Sequence, residues 1–406
     1  MTNFKTMRLI TFTVAIPLLF STGCRPNSTN ESQNNLKQGE NTVTGDKAIN
    51  TYTILTKNTS RILGNNAEQI SLATACMIWP ATETGNRPKA VLIAPSESWQ
   101  IQLAAVNLIH HPSDGPLLVS SKENISEAVL SELSRLKPVG STDGIQVITI
   151  GMSENVGKQL RDKGYKIHEI KGDNPNKLAE DIDGYYSSIS GDLPNSVIVG
   201  SSEQIEYTLP AGNWIAHMPE PLLYVTKDKI PPETVNALKK RNGNANIYLL
   251  GPESVVSKNI ETELQKHGKV TRISGDTPYA NAIAFSKFKD KATGFGWGIT
   301  MPGHGLLLVS KSQAKESIAT VAFAHRGKHA PLLITDSDKA PQELLDYLKE
   351  LKPRFKKAPT EGPYTHLFIA GDNPWISQKQ QGNLDHLIEI EPENGEGETS
   401  PNKMNH

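Results

Sequence analysis

The 406-residue sequence predicts an α/β protein made of three successive layered units. Three observations predict it: short continuous apolar runs, helical patterns of roughly ten to fifteen residues between them, and the return of both in one fixed order. Each unit opens with an apolar run that leads into a helical stretch ending in histidine. These pairs are 91–94 with His110, 197–200 with His217, and 306–309 with His325, and the histidine follows the start of the run by 19, 20 and 19 residues. A turn containing Pro or Gly comes next, and then a second run starting at Pro116-Leu117-Leu118, Pro221-Leu222-Leu223 and Pro331-Leu332-Leu333. After a further helical pattern, a third run closes on Gly151, Gly251 and Gly371. Ahead of each unit stands a fourth signal, Arg61-Ile62-Leu63-Gly64, Ile170-Lys171-Gly172-Asp173 and Arg272-Ile273-Ser274-Gly275-Asp276, whose glycines lie 108 and 103 residues apart.

The runs are apolar throughout instead of alternating, which predicts parallel strands covered on both faces by crossover helices. At about one hundred residues each unit is large enough for its own core. The expected architecture is three Rossmann-like or Toprim-like units with short parallel sheets, at 51–170, 171–270 and 271–391. The third unit carries an insertion, Lys287 to His304, whose Met301-Pro302-Gly303-His304-Gly305 reads as a tight turn.

The chain ends read differently. Lys5 and Arg8 precede an apolar stretch from Leu9 to Phe20 that is too short to span a bilayer, and Ser21-Thr22-Gly23-Cys24 follows it. This layout resembles the signal peptide and lipobox of bacterial lipoproteins, which implies residues 1–24 as signal and acylation at Cys24. Residues 25–50 are polar and nearly free of large apolar groups, so a disordered tether is expected. The polar end from Glu391 to His406 carries Glu391, Glu393, Glu396 and Glu398, and an acidic solvated tail is expected over 392–406. Cys76, among Leu72, Ala73, Ala75 and Ile78, reads as a small buried hydrophobe.

The order R-I-x-G-D, then a strand and a Leu-Ala-Ala helix, then P-L-L-(V/I)-T, then V-x-I-x-G resembles the cell-wall-binding repeat type 2 family of Gram-positive surface proteins. Thr271-Arg272-Ile273-Ser274-Gly275-Asp276 with Tyr279-Ala280, Pro331 to Thr335, and Leu103-Ala104-Ala105 carry the resemblance. The family's acidic residue before Leu-Ala-Ala falls at Ile101, Tyr207 and Glu316. The resemblance implies pseudo-threefold packing of the units and non-covalent attachment to an anionic wall polymer, teichoic-acid-like or polysaccharide, with the membrane reached through the lipid anchor. Such a ligand calls for cations along its track. The candidates are Arg61, Arg272, Arg326 and Lys328, with Lys239-Lys240-Arg241 beside them. His110, His217 and His325 are candidates for polymer contact, against the alternative that each caps helix C-terminal carbonyls.

A net charge of −1 with scattered basic residues argues against nucleic acid. Neither the nucleophile elbow, the phosphate loop, the zinc-protease helix nor the dinucleotide fingerprint occurs, so no enzyme, cofactor or metal is expected. The alternatives are a solute-binding lipoprotein of a transporter, or a degenerate scaffold for a protein partner.

Overall fold

The computed structural model describes residues 54–326 and 328–394. Cys24, the signal, the tether and the tail from 395 lie outside the described residues. The described chain begins with β1 (Thr59–Ile62) and α1 (Ala67–Ile78). The first unit then runs β2 (Val91–Pro95), α2 (Trp99–Ala105), β3 (Leu117–Ser120), α3 (Glu127–Leu136), β4 (Val147–Ile150), α4 (Glu154–Asp162) and β5 (Ile167–Ile170), and α5 (Pro175–Ser190) leads out of it. The second runs β6 (Ser196–Ser201), α6 (Ile205–Thr208), α7 (Pro210–Ile215), β7 (Leu222–Val225), α8 (Pro232–Lys239), β8 (Ala245–Leu250), α9 (Lys258–Leu264) and β9 (Gly268–Ile273), followed by α10 (Pro278–Lys287). The third has β10 (Gly305–Ser310), a 3-10 helix at Ile318–Ala324, β11 (Leu332–Thr335), α11 (Gln342–Glu350), β12 (Arg354–Phe355), β13 (His366–Ala370), α12 (Gln378–Leu387) and β14 (Glu391–Pro392).

Every apolar run read from the sequence is a strand, and the strands form three four-stranded parallel sheets. The first is ordered β3-β2-β4-β5 and the second β7-β6-β8-β9. The third repeats the order as β11-β10-β13-β1, so its fourth strand comes from the far N-terminal side of the described chain. Thr59 pairs with Leu367 and Ile62 with Ala370 in parallel register. Helix α1 leaves that sheet and packs on the first, where Ser71 Oγ accepts the N–H of Val119 on the edge strand β3 at 3.1 Å. The sequence reading gave Arg61 and its strand to the first unit; the hydrogen bonds give them to the third. The motif read as the start of each unit is the last strand of the preceding sheet followed by a crossing into the next unit.

The local chemistry of that crossing is repeated. A glycine ends the strand, and two residues later Asn66, Asn174 or Thr277 accepts an N–H of the helix's first turn. Gly275 is needed for space, because a Cβ there would lie 2.4 Å from the backbone of Ala280. One apolar core runs through all three sheets, and a second lies on the other face of the third sheet around Leu306, Leu344 and Tyr347.

Two further expectations are corrected. Cys76 is exposed, because α1 turns Ile70, Thr74, Ala75 and Ile78 inward and leaves the thiol 3.7 Å from the Glu132 carboxylate. Glu391 belongs to no free tail: Glu391 and Pro392 pair with Arg354 and Phe355, and the Glu391 carboxylate lies 2.6 Å from Lys352 Nζ. The insertion after α10 is ordered and folds onto the second unit. Phe295 is buried with its ring 3.6 Å from that of Tyr248, whose hydroxyl meets Asp290 and Thr293.

The units meet where Gly212 of α7 faces Leu103 and Val321, and a Cβ on Gly212 would lie 2.8 and 2.9 Å from those side chains. Gly382 in α12 has open space around the same position. Gly212→Leu is expected to lower unfolding free energy by about 3 kcal/mol through overpacking, whereas Gly382→Ala is expected to raise it by about 0.5 kcal/mol. Urea denaturation of the two variants tests both signs.

Candidate functional site at the junction of the three units

The arginine of the recurring R-I-x-G motif turns inward. Arg61 is 1% exposed. Its guanidinium donates to the carbonyls of Gly371 and Ile376, each at 2.8 Å, and to Gln381 Oε1. Arg272 repeats the plan, donating to the Gly251 carbonyl at 2.7 Å and to Glu261 at 2.8 Å. In both cases the arginine fixes the glycine that closes the third strand of its sheet. The first unit reverses the charges: Glu169 stands at the arginine position and pairs with Arg161 at 2.7 Å. Gly157 takes the place of Gln381 and Glu261, four residues after the helix-capping serine position, and a Cβ there would lie 2.4 Å from Glu169. Polymer contact at Arg61 and Arg272 is therefore corrected: their donors are spent inside the fold. Burial pulls the Arg61 pKa down to about 10, and the ring of acceptors keeps the charge tolerable. Arg241, read as part of a basic cluster, is likewise buried in a two-pronged pair with Asp183.

The three histidines behave differently, because they converge. Each follows a short, buried helical segment, α2 with its 3-10 extension Val106–Leu108, α7, and Ile318–Ala324, and these segments pack against one another. His110 Nδ1 lies 3.2 Å from His325 Nδ1. The His217 ring is 5.8 Å from that of His110 and 4.4 Å from that of His329. Trp297 of the inserted segment lies nearly parallel to His217 at 6.3 Å. The rings address one another across units instead of capping their own helices.

The seams around this cluster are hydrogen-bonded unit to unit. Asn107 donates to the Glu220 carbonyl at 3.1 Å, joining the first unit to the second, and Asn213 donates to the Ala330 carbonyl at 2.6 Å, joining the second to the third. Each accepting carbonyl directly precedes the proline of the next Pro-Leu-Leu run. The seam between the third unit and the first uses charge. Arg326 grips the Asp114 carboxylate through Nε and Nη2 at 2.9 and 2.8 Å, and His325 Nε2 reaches the same group at 2.8 Å. Trp79, at the end of α1, donates to the Asp114 carbonyl at 2.9 Å. Asp114, His329, Trp297 and the two asparagines were not singled out from the sequence; the asparagines stand three and four residues before their histidines, a shared position that marks the seam.

His110, Lys328 and His329 are exposed, His217 and Arg326 are half-buried, and His325 is buried. Burial, then the neighbouring rings of His329, His110 and His325, push His217 down to about 4. Burial and His325 also hold His110 below its ordinary value. Burial works against ionisation of Asp114, but His325 and Arg326 outweigh it and keep the carboxyl below the usual range. Among the described residues no group of three or more His, Cys, Asp or Glu side chains is disposed to hold a metal ion.

Three layered α/β units in one compact body define a class already seen in solved structures. Cwp6 from Clostridium difficile superposes with a TM-score of 0.63 at 19% identity, over 82% of this chain and 48% of that one. Cwp8 from Clostridium difficile gives 0.60 at 14% identity, over 84% and 52%. At these identities the likeness shows the fold. A curated relative, the "Amidase enhancer" of Bacillus subtilis (strain 168), is 28% identical over 148 residues, which is 36% of this chain and 19% of the relative. The chain thus spans about half the length of the two solved chains and about a fifth of the curated relative. No protein-family model matches it.

Two predictions follow from these contacts. Arg61→Leu is expected to cost about 3 kcal/mol of stability, since it leaves buried carbonyls and the Gln381 amide without their donor; the midpoint of urea unfolding measures it. For His217, folded and unfolded states are both neutral above pH 6.5. Below that, the unfolded chain takes a proton that the folded seam refuses until about pH 4. Stability is therefore expected to fall across this window, by on the order of 2 kcal/mol. His217→Gln should flatten that part of the curve in denaturation series between pH 7.5 and 4.5.

Proposed function

We propose that this chain is a non-catalytic cell-envelope protein that attaches non-covalently to anionic cell-wall polymers, teichoic-acid-like or polysaccharide. The observation that carries the reading is the ring of three like α/β units, whose fold over more than four-fifths of the chain is that of Cwp6 and Cwp8 from Clostridium difficile. The stretch shared with an amidase enhancer supports an envelope role from sequence. A long repetitive polymer suits a three-unit body, because linked weak contacts raise one another's effective concentration. Lipid attachment at Cys24 on the outer face of the cytoplasmic membrane belongs to the same reading. With Arg61, Arg272 and Arg241 committed internally and Arg326 holding Asp114, the cations left for a polymer among the earlier candidates are Lys328, Lys239 and Lys240. A solute-binding lipoprotein would hold its ligand between two lobes; here three sheets of one strand order share a continuous core.

The purified chain is expected to sediment with isolated cell walls, and less so when anionic polymers are stripped or salt is raised, since exposed charge contacts are screened over about 8 Å at physiological ionic strength. Lys328→Gln combined with Lys239→Gln should weaken pelleting more than either alone. Equal pelleting with stripped and intact walls would remove the polymer and favour a protein partner.

A further inference from the structure

We propose that the seam where His110, His217, His325 and His329 meet is a proton-coupled binding site for a tetrahedral oxyanion, with the phosphodiester group of a wall polymer as its occupant. The choice of occupant rests on the function proposed above; the oxyanion site rests on the geometry alone.

Charge is the first support. The groups around the seam come from every element packed there. Lys89 lies ahead of β2, and His110, His111 and Asp114 follow α2. His217 and Glu220 follow α7; His325, Arg326, Lys328 and His329 follow the helix at Ile318–Ala324; Lys289 and Trp297 come from the inserted segment. The two carboxylates are already occupied. Asp114 is held by Arg326 and His325, and Glu220 is buried with Trp214 Nε1 donating to it at 2.8 Å. What the seam presents outward is basic: His110 and His329.

Unmet hydrogen bonds are the second support. The Trp297 indole N–H is buried with no acceptor, and Nδ1 of His217, the ring stacked beside it, is buried with no partner. Unsatisfied buried polar atoms are uncommon and costly. An anion oxygen would accept from the indole and from a protonated His217 together. The donors also come from different units and therefore from different sides. A tetrahedral oxyanion offers oxygens in more than one plane, whereas a planar carboxylate is best met by an arginine fork, and Arg326 has given its fork to Asp114.

Proton coupling follows from crowding. Burial, then the neighbouring rings, oppose protonation of His217 and His110, and Lys89 adds to this at His110. A bound anion reverses that balance, so binding draws a proton in and strengthens as pH falls.

The test uses the full chain and sulfate, a tetrahedral probe whose own charge is constant from pH 8 to 5.5. Titration calorimetry is expected to show about tenfold tighter binding at pH 5.5 than at pH 8, with proton uptake revealed by comparing buffers of different ionisation enthalpy. Dimethyl phosphate should bind with the same pH trend, and glucuronate about tenfold more weakly. His110→Gln with His329→Gln, both at exposed positions, should abolish sulfate binding at pH 5.5 while the unfolding midpoint at pH 8 stays unchanged. Sulfate binding that is flat with pH, or that survives in the double variant, overturns the site, and equal affinity for glucuronate overturns its tetrahedral preference. The two proposals fail separately. If the double variant loses sulfate yet pellets with walls as before, polymer is held elsewhere and the phosphodiester assignment falls. If the unmodified chain binds sulfate in this way but ignores walls, the wall-binding reading falls and the oxyanion site stands.

Discussion

Four residues of β1 complete the sheet of the unit farthest from them in sequence, and the closing of the third unit onto the first depends on that pairing. Because α1 continues from β1 onto the first sheet, the third unit and the first are tied by covalent chain as well as by hydrogen bonds. The other two joints are built likewise, with β5 leading into α5 and β9 into α10, so that each sheet lends the next unit its covering helix. Arg61 reinforces the closing strand where pairing alone is weakest, at an edge only four residues long. Further in, Asp385 accepts from the Thr56 hydroxyl at 2.6 Å and the Asn58 N–H at 2.7 Å, binding the lead-in to α12. The three sheets thus form one closed circuit.

Closure brings the ends of three short helices to one place, and the chemistry there is unequal. Two seams are held by neutral asparagine amides, and the third by an arginine, a histidine and an aspartate. A neutral amide bond is indifferent to pH and little affected by salt, whereas the third seam depends on both. The histidine rings sit beside the charged seam, so the joint that closes the circuit is the one most responsive to the medium. The inserted segment, through Phe295 and Trp297, adds apolar mass between the second and third units and shields His217 from solvent.

The strands were legible because they are buried on both faces and so leave continuous apolar runs. The phase of the repeat was not legible. In a closed circuit of like units any point serves equally well as a start, and no residue of β1 declares that its partner is β13. The role of Arg61 did leave a trace within the chain itself. Wherever the strand carries arginine, the helix after the third strand of the same sheet carries Gln381 or Glu261 four residues after Ser377 or Ser257; where the strand carries Glu169, that place is Gly157. This compensation between repeats marks a contact. The matching positions of the three histidines were seen from sequence and their meeting was not, because it depends on how three separate helices are aimed. Cys76 was misplaced for a simpler reason: small residues on both flanks of α1 blur its inward face.

Closure at this range also sets the order in which the protein becomes complete. Arg61 and Gln381 are 320 residues apart, and β1 has no strand to join until β13 has been made. The first two sheets own all their strands and are free to fold as they emerge; the circuit cannot shut until nearly the whole described chain is available. A product cut short before β13 keeps an unpaired edge and an arginine with no acceptors, both marks of an unfinished protein. The long span between the two strands thereby makes the pairing of β1 wait on β13: a chain that stops short of β13 exposes a strand that the closed circuit covers.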